Sequence, residues 1–200
     1  MVGQWTRTVP TQTITDRYII QLEFLRLVRN QLAIGRGRDA DCAPLYLSGV
    51  RRALFKVRLS SHGYTLVTKG MEGLDRAHLR HGNEIYDRLS PIQGRHIPVC
   101  LGSINLVLPY HYDSGVYMHF MFLSWAGRPL FECFGKVNKA GFIDKVTTIF
   151  KAVRELHVLH RDAEPRNILY NTISDSVMVV DFERAELHDR QPLGLKRKRG

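Results

Sequence analysis

The sequence predicts an α+β fold, and three observations carry that prediction. From about Ala43, short apolar runs (Leu45–Leu47, Ala53–Leu59, Tyr64–Thr68) alternate with Ser48-Gly49 and Ser60-Ser61-His62-Gly63. Those separators are turn chemistry, so the runs read as an antiparallel meander. Two later stretches, Leu74–Leu89 and Phe142–Leu159, repeat apolar residues at three- and four-residue steps, as helices do. Last, Ile168–Tyr170 and Val177–Val180 flank Asn171–Ser176 as a small hairpin. With 200 residues, 44% hydrophobic and 24% charged, the chain can bury a core.

Taken in order, Met1–Thr15 is a polar, threonine-rich leader interrupted by Pro10. Tyr18–Leu32 is ambiguous. Ile20, Leu22 and Phe24 alternate as in a strand, whereas Ile19, Leu22, Leu25, Val28 and Leu32 fit one helical face; the second half reads better as helix. Gly35-Arg36-Gly37-Arg38-Asp39 is a loop. In Leu74–Leu89 the residues Leu79, Ile85, Tyr86 and Leu89 share a face, and Ser90-Pro91 stops the helix. Ile97–Leu101, Ile104–Leu108 and Val116–Leu123 are further strands. Gly127-Arg128-Pro129 and a short segment, Leu130–Phe134, precede Phe142–Leu159, whose Val146, Ile149, Phe150, Val153 and Leu156 face inward. That helix delivers the chain to His160.

Composition excludes several classes. Cys42, Cys100 and Cys133 have neither a C-x-x-C spacing nor a second pair, so they form no disulfide framework or zinc finger and suit a reducing compartment. No run reaches the ~18 apolar residues of a membrane span, and no secretory signal opens the chain. The net charge of +10 and pI near 9.8 favour phosphate-bearing partners. Lys196–Arg199 forms a basic tail that suits a nuclear-import signal or a polyanion contact. Nucleic acid is not the expected partner, since no recognised reader motif is present. The expected location is intracellular, cytoplasmic or nuclear.

The chemistry gathers near the end of the chain. His160-Arg161-Asp162-Ala163-Glu164-Pro165-Arg166-Asn167 has H-R-D-x-x-x-x-N spacing, and Asp181-Phe182-Glu183 follows an apolar run where the same signature set has D-F-G. From about Pro44 to Arg184 the chain therefore resembles the protein kinase-like superfamily, closest to short fungal kinase-like proteins with a truncated large lobe. The resemblance implies a two-lobe fold: an antiparallel-sheet small lobe with one helix (41–123), then a hinge and C-terminally truncated helical large lobe (124–190). An N-terminal extension (1–40) and a basic tail (191–200) lie outside them.

The resemblance also implies a site for ATP and Mg²⁺. Lys69 would hold the α- and β-phosphates and Glu84, in the following helix, would position it. Asp162 would orient the attacking hydroxyl, and Asn167 and Asp181 would hold the metal. Phe122 would be the gatekeeper, and the backbone of Leu123, Ser124, Trp125 and Ala126 would meet the adenine. His160 and Arg161 would be structural.

Three departures qualify that picture. The glycine-rich loop is poor: glycines expected near Ser48, Val50 and Ala53 are missing and only Gly49 is close, which leaves the phosphates to Gly49 or to Arg51 and Arg52. Glu164 stands where a phosphate-touching lysine is usual, with Arg166 a partial substitute. Glu183 replaces the glycine after Asp181-Phe182, and seventeen residues follow it. The expected function is transfer of a γ-phosphate from ATP to Ser/Thr or another hydroxyl. The alternative is a catalytically impaired pseudokinase acting as nucleotide sensor or scaffold. A truncated large lobe would expose Phe142–Leu159, to be covered by a protein partner, by self-association or by Tyr18–Leu32.

Overall fold

The computed structural model describes residues 14–35, 40–45, 53–73, 76–133 and 139–188. The chain is α+β, dominated by antiparallel sheet, with three α-helices among the described residues: α1 (Ile14–Ile34), α2 (Arg76–Arg88) and α3 (Lys139–Glu155). The main sheet contains β1 (Cys42–Leu45), β2 (Leu54–Leu59), β3 (Tyr64–Glu72), β4 (Cys100–Tyr112) and β5 (Gly115–Leu123) in the order β1-β2-β3-β5-β4, every pairing antiparallel. Beyond it, β6 (Arg128–Pro129) pairs with β8 (Ile168–Asn171), which pairs with β9 (Ser176–Val179). The short strands β7 (Val158–Leu159) and β10 (Glu186–Leu187) pair antiparallel.

Period-two burial divides the sheet into two faces. In β2, Phe55, Val57 and Leu59 are buried while Lys56 and Arg58 are exposed. In β5, Phe120 and Phe122 join the cluster under α1, and Met121 and Leu123 join the cluster on the other side. Phe24, Val28 and Leu32 recur every four residues on the buried side of α1, so the helical reading of the ambiguous N-terminal stretch holds along its length. Phe24 meets Phe122 edge to face at 5.7 Å, and the Gln21 Nε2 amide donates to the Leu101 carbonyl at 3.1 Å.

The opposite face packs Ile85 and Tyr86 of α2, and Leu89 just after it, with Ile149 and Val153 of α3 and with Val177 and Val179 of the hairpin. This second core joins the sheet to everything that follows it. The expectation that Tyr18–Leu32 covers the Phe142–Leu159 helix is corrected, because α1 belongs to the first core and α3 to the second. The stretch set apart as an N-terminal extension, 1–40, thus contains a helix packed on the sheet, beginning at Ile14 inside the expected leader.

Other boundaries move for identifiable reasons. β3 runs on to Glu72, which places Lys69 inside the strand rather than at its end. The two strands expected around Leu101 and Ile104 are one, β4, whose pairing with β5 shifts register between Cys100 and Gly102 and again between Asn105 and Tyr110. Such shifts absorb extra residues without ending the ladder. α3 stops at Glu155 because His157 adopts a left-handed backbone, φ 61°, and Val158–Leu159 leave as a strand. The three cysteines are free, and burial pushes the Cys42 and Cys100 thiols up to about 11, as for inert apolar residues. Gly49, Arg51, Arg52 and the Lys196–Arg199 tail lie outside the described residues. Among those described, no helix is long and apolar enough to cross a membrane.

Phe55 is the keystone of the first core. Fully buried, it stacks on Phe120 at 5.1 Å and meets the edges or faces of Tyr110, Tyr112 and Tyr117 within 4.9, 5.6 and 5.5 Å. Replacement by Ala is expected to cost about 3–5 kcal/mol. Ile143→Ala, at a site 67% exposed on α3, is expected to stay within ~0.5 kcal/mol. Chemical denaturation monitored by circular dichroism measures both.

Candidate functional site

An open cleft lies where the second face of the sheet meets the β6–β8–β9 unit. Apolar side chains line it: Leu54 and Val67 from the sheet, Leu169 and Val180 from the hairpin, and Leu123 at the end of β5. Lys69, Arg166, Asn167 and Asp181 line it as well. Val67 and Lys69 share the cleft-facing side of β3, while Leu66 and Thr68 point to the buried side between them. Strand alternation thus sets an ammonium beside an apolar slot.

Lys69 reaches across the cleft. Its Nζ donates to Asp181 Oδ1 at 2.7 Å and lies 2.5 Å from Glu183 Oε1. Asp181 follows β9 in the left-handed region (φ 67°, ψ 63°) and opens a 3₁₀ turn, Phe182–Arg184. Arg161, at the other side of the site, also has positive φ, 62°. Such backbone costs on the order of 1–3 kcal/mol per non-glycine residue and persists only where surrounding contacts enforce it. Here those contacts are visible.

The His160 imidazole supplies several of them. Its Nε2 donates to the Val180 carbonyl at 2.9 Å, and its Nδ1 accepts the Asp162 backbone N–H at 3.3 Å. That pattern requires the neutral Nε2–H tautomer. Burial accordingly holds the imidazole below its ordinary value, against the upward pull of the Val180 carbonyl, Asp181 and Asp162. The ring also packs on Phe182 at 4.6 Å and on Phe150 at 5.8 Å. One buried side chain therefore joins the loop, the residue before Asp181 and α3. Outside the loop, Arg161 donates to Glu186 Oε2 at 2.8 and 2.6 Å, bracing it against β10.

Asp162 faces Arg166, whose Nη2 donates to both carboxylate oxygens at 2.9 Å. Desolvation opposes ionisation of Asp162, but the Arg166 guanidinium and the Asn167 amide outweigh it and hold the carboxyl below its ordinary range. Asn167, buried, donates through Nδ2 to the Asp162 carbonyl at 2.9 Å and to Oδ2 at 3.2 Å. Its Oδ1 is left as the acceptor. Among the described residues no group of three or more His, Cys, Asp or Glu side chains converges as a metal cage. Asp181 and Asn167 both line the cleft and are the oxygen-bearing side chains there that suit a hard cation such as Mg²⁺.

The expected residues are not all brought together. Lys69, Asn167, Asp181, Leu123, Ser124, Trp125 and Ala126 line the cleft; Asp162 is not among the lining residues but hydrogen-bonds to Asn167 and Arg166, which are. Glu84 does not join them: α2 turns Gly82, Ile85 and Tyr86 inward and leaves Glu84 exposed, and Lys69 is paired with Asp181 and Glu183 instead. Phe122 is not a gatekeeper, because alternation sends it under α1, and Leu123 is the residue at the cleft wall. Ser124 is locked by its N–H to the Val99 carbonyl and by its Oγ accepting from Val99 N–H, both at 2.9 Å. The walls Val67, Leu169 and Val180 went unnamed in the sequence, although period-two alternation from Lys69 reaches the first of them.

No family model matches the chain. It is similar to the meiotic driver SPOK2 of Podospora anserina, 31% identical over 172 residues that make up 82% of this chain. The chain spans 21% of the length of that relative. The resemblance to the protein kinase-like superfamily and its short fungal members is thereby overturned: no kinase family is matched, the relative is named for another property, and the architecture is mostly antiparallel sheet with three helices rather than a clear pair of kinase lobes.

Two outcomes follow from the site's geometry. Because His160 is held neutral in the fold, its contribution to stability is complete above the ordinary His value of about 6.5 and is lost as pH falls through that value toward the depressed native one. His96, lowered by burial and then by Arg95, acts in the same direction. Melting temperature should therefore fall between about pH 7 and 5, less steeply in His160→Gln than in the parent, as read by thermal denaturation. At Gly127 (φ +114°), a Cβ would collide with the Tyr170 carbonyl and the Asn171 backbone nitrogen. Gly127→Ala should destabilise by more than about 2 kcal/mol in denaturant titration.

Proposed function

We propose that the cleft binds a purine nucleotide as its Mg²⁺ complex and transfers the terminal phosphate to a hydroxyl, of Ser/Thr or of another acceptor. The observation that carries this reading is a single cleft whose lining combines apolar side chains with Lys69, Asn167 and Asp181. An apolar slot between Leu54, Val67, Leu169 and Val180 suits a planar base, with the Ser124–Ala126 backbone along its edge. In the same cleft Lys69, Asn167 and Asp181 offer the cation and the oxygen donors that a metal–polyphosphate requires.

In this reading each group has a task set by its chemistry. The Lys69 ammonium neutralises phosphate oxygens, and Asp181 with Asn167 Oδ1 would hold the metal. Bound Mg²⁺ would supply charge neutralisation of the phosphates. Asp162, kept ionised by Arg166 and Asn167, is a weak base suited to orienting the acceptor hydroxyl. As the acceptor oxygen–phosphorus bond forms, the phosphorus–oxygen bond to the nucleoside diphosphate breaks, and the hydroxyl proton passes through Asp162 to solvent. Positioning and electrostatics can supply most of the rate. The free cysteines fit action in a reducing, intracellular compartment, and Ile143, exposed on α3, fits contact with a protein partner or a second copy.

A second reading, a nucleotide sensor without turnover, is favoured by one specific contact. Arg166 bonds both oxygens of Asp162, so the carboxylate that would meet an acceptor is already capped.

Calorimetric titration with ATP and Mg²⁺ tests both. The parent should bind, Lys69→Ala and Asp181→Ala should each lose at least about tenfold in affinity, roughly 1.4 kcal/mol, and Asp162→Asn should bind normally while abolishing phosphate transfer. Binding without transfer by the parent selects the sensor. No heat from the parent excludes both readings.

A further inference from the structure

We infer that Glu183, rather than Glu84, is the acidic residue that positions Lys69 for phosphates, an inference that rests on the nucleotide reading above. Lys69 Nζ has two carboxylate partners, Asp181 at 2.7 Å and Glu183 at 2.5 Å. Asp181 is also the carboxylate suited to a metal. An ammonium anchored to Asp181 alone would lose its anchor whenever a metal claimed that carboxylate. Glu183 supplies a second one, so that Lys69 keeps a carboxylate partner when Asp181 is taken.

The local backbone explains how two acidic residues reach one lysine. Phe182 is buried between His160, at 4.6 Å, and Tyr86, at 5.6 Å, which pins the 3₁₀ turn. With Phe182 driven into the core, its two sequence neighbours are left toward Lys69. Glu183 does not share the left-handed backbone of Asp181, so a side chain is tolerated where the motif has glycine. Its Oε1 is shut off from solvent, and the Lys69 ammonium meets its charge. A carboxylate so placed is costly without its cation. Glu84, in contrast, is exposed on α2. Glu183 is thus a positioning residue, acting through Lys69.

The test is calorimetry on the full chain with two probes, Mg²⁺·ATP and adenosine, which lacks phosphates. Glu183→Gln should weaken Mg²⁺·ATP by about tenfold and leave adenosine unchanged. Glu183→Asp, which keeps the charge but shortens the reach, should fall between and provides the measurement if Gln disturbs folding. Glu84→Gln should stay within about twofold of the parent. In a Lys69→Met background, Glu183→Gln should have no further effect, which a merely structural role would not produce. The inference is overturned if Glu183 variants bind Mg²⁺·ATP like the parent, lose both probes equally, or are matched by Glu84→Gln. If the parent binds both probes and Glu183→Gln is silent, this inference alone falls; if the parent binds neither, the proposed function falls with it.

Discussion

The ion pair between Lys69 and Asp181 joins positions 112 residues apart and couples the sheet to the hairpin. Both partners are partly shielded from water, with side-chain exposures of 14% and 34%. Removing such charges from solvent costs several kcal/mol unless they are paired in good geometry. The fold meets that demand through strand alternation on one side and a left-handed turn on the other. Lys69 can reach the cleft only because β3 continues through it, and Asp181 can reach back only because the chain reverses at φ 67° immediately after β9. Shift either by one residue and the ammonium faces the core of the sheet, or the carboxylate faces away.

What holds that turn is apolar. Phe182, almost fully buried, ties the turn to Tyr86 of α2 and to the His160 ring. His160 in turn bonds Val180 and the Asp162 backbone. The loop carrying Asp162 and the turn carrying Asp181 therefore rest on one another through a single imidazole that must be neutral to serve both contacts. Polar precision at the cleft depends on hydrophobic packing beneath it, and this is why two strained backbones, at Arg161 and Asp181, can persist within a few residues of the same side chain.

Much of this was legible in the sequence. Turn residues and alternating apolar runs located β2, β3, β5 and the β8–β9 hairpin, and the spacing from His160 to Asn167 located the loop. Boundaries failed where tertiary contacts override local pattern. Bulges carry β4 through an expected break, and the left-handed His157 ends α3 early. Phe122 was assigned to the cleft and Leu123 to the hinge because the register of β5 cannot be read to one residue, and a one-residue slip exchanges the faces. The pairing of Glu84 with Lys69 rests on the family resemblance and on a place in the expected helix, but no periodicity reports how α2 rotates about its axis once Ile85 and Tyr86 are buried. The family resemblance failed for a related reason: a short motif specifies a local geometry, and neither the whole-chain comparison nor the architecture extends it to a superfamily.

The charge balance at the cleft bears on which ligand can enter. Lys69 and Arg166 contribute two positive charges, and Asp162, Asp181 and Glu183 contribute three negative ones, all within the pairs Lys69–Asp181, Lys69–Glu183 and Arg166–Asp162. Within those three pairs the sum is −1, although the whole chain carries +10 and Arg184 acts on Asp162 as a further cation. A bare polyphosphate approaching Lys69 would have to displace carboxylates while adding negative charge beside them. Under the proposed reading a divalent cation bound with the phosphates would offset that charge, with Asp181 available to hold it and Glu183 still beside Lys69. Under the proposed reading the metal would then be a condition of nucleotide entry as well as of chemistry, with Glu183 the third carboxylate beside Lys69.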